Sequence, residues 1–87
     1  MEKKTFKLCN VVLYDGSDAY VCKYVLRSEG YDEIDNESRN LIEEELRGNG
    51  DILKIDILHE VSLDNIRAFS NAPEYQTVYD RFKKMWF

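Results

Sequence analysis

The fold is decided by residues 5–27, TFKLCNVVLYDGSDAYVCKYVLR, two apolar-rich runs joined through Gly16-Ser17. A glycine at the first place of a two-residue loop is what a type II′ turn requires, so the stretch predicts a β-hairpin with Asp15 and Asp18 flanking its turn. In that register Leu13 faces Tyr20 and Val11 faces Cys22. One side of the hairpin then carries Lys7, Cys9, Val11 and Leu13 against Leu26, Tyr24, Cys22 and Tyr20, and is predicted to take the core. The opposite side carries Phe6, Leu8, Asn10, Val12 and Tyr14 against Arg27, Val25, Lys23, Val21 and Ala19. Phe6, Leu8, Val12, Tyr14, Val21 and Val25 together exceed what a small monomer leaves in water, so either a helix or another chain must cover them.

Outward from the hairpin, residues 28–36 (SEGYDEIDN) read as a polar, acidic loop leading into a helix over 37–47, ESRNLIEEELR. Asp35 or Asn36 serves as its N-cap, and Gly48 supplies the positive φ that ends it. Leu41, Ile42 and Leu46 form the inner stripe; Glu37, Asn40, Glu43, Glu44 and Arg47 point outward, with Glu45 at the edge of the apolar arc. Residues 51–61, DILKIDILHEV, alternate with period two and predict a third strand with Leu53, Ile55, Ile57, His59 and Val61 on one face and Lys54, Asp56, Leu58 and Glu60 on the other. Ser62 caps a short helix, LDNIRAFS, and Asn71 with Glu74 gives a capping-box entry to a last one. There Tyr75, Val78, Tyr79, Phe82, Met85 and Trp86 fall on one helical face, with basic residues towards the C-terminus.

The order β-β-α-β-α-α implies one α+β domain over residues 1–87: a three-stranded sheet, made of the N-terminal hairpin plus one strand, with helices packed on its apolar face. Which strand neighbours the third is open, because its connection runs through a helix. The longest uninterrupted apolar run, Val11 to Tyr14, is far shorter than the roughly 20 residues that span a bilayer. A soluble, cytoplasmic protein is expected.

Charge is unevenly distributed. Residues 1–28 carry five Lys/Arg against three Asp/Glu, residues 29–64 carry twelve acids against three bases, and residues 65–87 carry four bases against two acids, for a net charge of −5. An acidic middle between mildly basic ends disfavours direct nucleic-acid binding, which relies on clustered Lys/Arg. It favours a basic protein partner. Glu29, Asp32, Glu33, Asp35, Glu37, Glu43 and Glu44 are the expected partner-binding residues, offering spaced negative charge from the loop and the outer helix face.

No convergent catalytic set is evident, and neither an enzyme nor a cofactor is expected. Cys9 and Cys22 would be diagonal neighbours on one hairpin face, farther apart than a disulfide allows, and read as reduced core thiols. His59 stands without the H-E-x-x-H or C-x-x-C spacing of a zinc site and reads as a structural histidine on the apolar face. Asp15-Gly16-Ser17-Asp18 and Asp32-Glu33-Ile34-Asp35 lack the pattern of a twelve-residue calcium loop.

In size, acidity and lack of catalytic apparatus the chain resembles the small acidic phage-encoded proteins that bind and disable host proteins, some by imitating DNA. The resemblance implies a non-enzymatic inhibitor whose acidic patch occupies the basic surface of a host protein, a DNA-binding one among the candidates. The alternative is a homodimeric accessory protein associating through the outer hairpin face.

Overall fold

The computed structural model describes residues 4–29 and 33–87. β1 (Lys4–Tyr14) and β2 (Ala19–Glu29) form the hairpin, antiparallel and in the expected register, with Leu13 opposite Tyr20 and Val11 opposite Cys22. Gly16 takes φ 101°, and the Asp15 carboxylate accepts the Ser17 and Asp18 N–H groups at 2.9 Å each. The rest is β3 (Glu33–Ile34), α1 (Asn36–Glu45), β4 (Asp51–Val61), α2 (Leu63–Ala68), two short 3₁₀ turns and α3 (Gln76–Trp86).

The sheet has four strands, not three, in the order β3-β2-β1-β4, and every pairing is antiparallel. The added strand lies within the expected loop, where Ile34 pairs with Ser28 and buries its side chain. α1 then carries the chain from the β3 edge to β4 on the opposite edge.

The helices are divided between the two faces rather than gathered on one. Cys9, Val11, Leu13, Tyr24 and Leu26 pack with Ile34, Ile42 and Leu46 beneath α1. Leu8 and Val25, on the opposite face, pack with Val61, Ile66, Val78 and Phe82 beneath α2 and α3. The cause lies in the hairpin, whose two sides are both apolar over much of their length. Phe6 closes the second cluster, edge-on to Phe82 and to Trp86 at ring separations of 5.4 Å each.

The alternation expected for β4 is broken twice. Its pairing with β1 shifts between Leu8 and Cys9 and between Val12 and Leu13, so that Leu58 and Leu53 are extra residues at bulges. Ile52, Ile55 and Ile57 reach the α1-side cluster and Val61 the other. His59 is consequently exposed, its Nδ1 3.2 Å from the Glu60 carbonyl, rather than set in an apolar face. Ser62 caps α2 with the full reciprocal box, but the box expected at Asn71 does not form. A 3₁₀ turn over Pro73–Tyr75, capped at Ala72 without a side-chain bond, precedes α3 instead.

β2 is paired with β3 only at its far end, and donors from α3 and from the entry to α1 bond three further carbonyls of that edge. The Lys23 carbonyl accepts from Arg81 Nη1 at 3.0 Å, the Val25 carbonyl from Trp86 Nε1 at 3.1 Å and the Arg27 carbonyl from the Asp35 N–H at 3.0 Å. The Arg27 N–H donates to Ser38 Oγ at 2.8 Å.

Gly50 joins α1's exit to β4 at φ 139°, and a Cβ there would lie 2.7 Å from the Tyr14 carbonyl oxygen. Gly50→Ala is expected to lower unfolding stability by about 1–3 kcal/mol, read from urea denaturation, because the residue can neither relax φ nor clear the β1 backbone. An unchanged midpoint would contradict this placement.

Candidate functional site

The acidic segment is organised at one end by Arg27. Asp35 is the N-cap of α1: its Oδ1 accepts the Ser38 N–H at 2.8 Å and its Oδ2 accepts Arg27 Nε at 2.6 Å. Glu37 accepts the second arm of the guanidinium, which also lies 5.2 Å from the Trp86 ring centroid. Asp35 is only 5% exposed. Burial pushes its carboxyl up, but the hydrogen bonds from Arg27 and Ser38 outweigh it and hold the group below its ordinary range. Asp35 therefore positions the helix rather than facing solvent. Glu37 is exposed and shares Arg27; Glu29 and Glu33 are exposed and line the same small cleft, of about 290 Å³. Asp32 lies outside the described residues.

At the other end of α1 the acids meet partners from distant parts of the chain. Glu43 and Glu44 are exposed, and Glu44 pairs with Arg47 at 3.0 Å. Such an exposed i,i+3 pair is weak and leaves both charges accessible. Glu43, Arg47 and Asp51 line one open cleft of about 490 Å³. Asp51 stands opposite Tyr14, Gly50 lies against the backbone of Tyr14 and Asp15, and Tyr20 Oη donates to the Asn49 carbonyl at 2.7 Å. The hairpin turn, with Asp15 and Asp18, thus adjoins the same cleft. Hydrogen bonds from the Asp18 and then the Ser17 N–H hold the Asp15 carboxyl below its ordinary range. Tyr14 and Tyr20 are 41% and 36% exposed beside these acids. Glu45 is turned inward, with 21% of its side chain accessible, and pairs with Lys84 at 3.0 Å.

Asp15, Asp18 and Asp51 were not among the expected partner-binding residues. In sequence they read as turn and strand-end residues; the pairing of β4 with β1 sets Asp51, which shares the cleft with Glu43, opposite Tyr14 beside the hairpin turn.

The outer hairpin face does not survive as one exposed surface. Leu8 and Val25 are buried by α2 and α3, and Phe6 is half-buried with them. Towards the turn Val12 is half-buried, while Tyr14 and Val21 are exposed.

Both cysteines are free thiols; burial pushes Cys9 up to about 12. Among the described residues no group of three or more His, Cys, Asp or Glu is placed to hold a metal, and no helix is long and apolar enough to cross a membrane. Comparison with protein-family models, with curated proteins and with solved structures finds no match to this chain.

The Arg27–Asp35 pair has a measurable pH signature. With the folded carboxyl below its unfolded value of about 3.9, its contribution is complete above that pH and is lost as pH falls through the folded value. Asp35→Asn keeps a capping oxygen but removes the charge. It should cost about 2 kcal/mol at neutral pH and flatten the acid limb of a stability-against-pH profile. The same acid limb in both proteins would contradict the assignment.

Proposed function

We propose that this chain is a non-enzymatic binding protein that presents its acidic end to a basic surface of another protein. Glu43 and Glu44 form the centre, Asp51, Asp15 and Asp18 one flank, and Glu37, Glu33 and Glu29 the other. The observation that supports the reading is that Glu43 of α1 and Asp51 at the start of β4 line one open cleft with Arg47, while the backbone of the hairpin turn at Tyr14 and Asp15 lies against Gly50 of the same cleft. Asp35, held inside the N-cap, orients α1 and takes no part in contact.

Fields of opposite sign speed encounter and fix orientation more than they add raw affinity. Affinity needs desolvated contact area as well, and Tyr14 and Tyr20 at the rim provide aromatic surface next to the charge. Proteins with clustered Lys and Arg are above all those that bind nucleic acid. A partner of that kind, with its phosphate-binding surface occupied, would be inhibited, and this is the activity the reading assigns to a host-directed acidic protein.

A second reading, a homodimer through the outer hairpin face, draws on Val21 at 54% and Tyr14 at 41% exposed. The burial of Leu8 and Val25 confines it to the half of the face near the turn.

The test is affinity capture from a bacterial lysate at low and at high salt, with wild type and with Glu37→Lys, Glu43→Lys, Glu44→Lys combined. A basic protein retained at low salt by wild type, released at high salt and bound at least ~10-fold more weakly by the triple variant is the expected result. Equal retention by the variant at both salt concentrations would remove the proposal.

A further inference from the structure

The two outer strands of the sheet are treated differently. Along β2 the outward carbonyls of Lys23, Val25 and Arg27 each find a donor from α3 or from the entry to α1. Along β4 no strand pairs with the outer edge among the described residues.

The direction of the β4 hydrogen-bonding groups follows from the ladder. Because Lys23, Val25 and Arg27 bond outward, Cys22, Tyr24 and Leu26 bond to β1, where they face Val11, Cys9 and Lys7. Antiparallel strands alternate, so Leu8, Asn10 and Val12 of β1 bond towards β4, where they face His59, Asp56 and Lys54. Ile55 and Ile57, opposite Val11 and Cys9, therefore turn their N–H and C=O groups to the open edge. The two bulges leave a regular stretch between Leu53 and Leu58, which are 58% and 44% exposed.

That stretch, Lys54-Ile55-Asp56-Ile57, together with the bulge residue Leu53 before it, is complementary to itself when read in the opposite direction. We infer that the β4 edge is a self-association site, at which two copies pair antiparallel about a two-fold axis through Ile55 and continue one sheet into the other. In this register Ile55 faces its own copy, Leu53 faces Ile57 of the other chain, and Lys54 faces Asp56 in both directions. The central pair exchanges the outward N–H and C=O groups of Ile55, so the edge's unpaired donors and acceptors are satisfied. Lys54 and Asp56 lie on the same side of the strand, 3.4 Å apart with side chains 63% and 49% accessible, so exchanging the weak internal pair of each copy for two cross-strand pairs loses little. The inference does not depend on the acidic end, which involves other residues.

The test is a charge swap read by sedimentation equilibrium, with circular dichroism confirming that each variant is folded. Wild type should show a monomer–dimer equilibrium in the micromolar to millimolar range. Lys54→Asp places like charges opposite at both symmetric positions, as does Asp56→Lys, and each alone should raise the dissociation constant about tenfold or more. An equimolar mixture of the two single variants restores every opposite-charge pair and should associate again as a heterodimer. The double exchange Lys54→Asp with Asp56→Lys should associate with itself. A wild type that stays monomeric throughout, single variants that dimerise as wild type does, or a mixture that fails to associate would each overturn the inference.

Discussion

The structure depends on a central strand that has to be hidden from water on both sides. Leu8 is 2% exposed, and Cys9, Val11 and Leu13 are at 0%. Leu8 points to one face of the sheet, the other three to the opposite one. Fully burying such a side chain is worth roughly 1.5–3 kcal/mol, so neither face can be left wet in a chain of this size. α1 covers one side and the α2–α3 pair the other. Arg27 and α3 bind the layers together across the β2 edge: Arg27 through Asp35 and the Trp86 ring, α3 through Arg81 and Lys84.

This layering determines what is left for function. α1 has one face in the core and projects Glu37, Glu43 and Glu44 on the other. The β1–β4 pairing delivers Asp51 and the hairpin turn to its C-terminal end, while Arg27 neutralises the acids at its N-terminal end. At that C-terminal end Glu44 pairs with Arg47 and Glu45 with Lys84, while Glu43 and Asp51 line the open cleft. The same arrangement sets α3 donors on the β2 edge, while among the described residues no strand pairs with the outer edge of β4.

Features set by local spacing were legible in the sequence. The hairpin register followed from Gly16 and the alternating residues around it, the α1 cap was narrowed to Asp35 or Asn36, of which Asp35 holds the place, and the stripe of α3 followed from Val78, Phe82 and their neighbours. Features set by a distant partner were not. The phase of β4 is fixed by bulges against Leu8–Cys9 and Val12–Leu13 of β1, which strict alternation could not reveal, and this misplaced Leu53 and His59. β3 is too short to carry any periodic signal. Of the expected acidic site, Glu37, Glu43 and Glu44 were legible as an outward helical face. The burial of Asp35 needed Arg27, and the arrival of Asp51 beside Asp15 needed the strand order.

Burial of the central strand from two sides is tested most directly by paired truncations, Leu8→Ala beneath α2–α3 and Leu13→Ala beneath α1, compared by urea denaturation. The account predicts that each lowers unfolding stability by about 2–5 kcal/mol, because each empties a filled site in a separate layer. A loss confined to Leu13→Ala, with Leu8→Ala within about 0.5 kcal/mol of wild type as for a surface position, would contradict it.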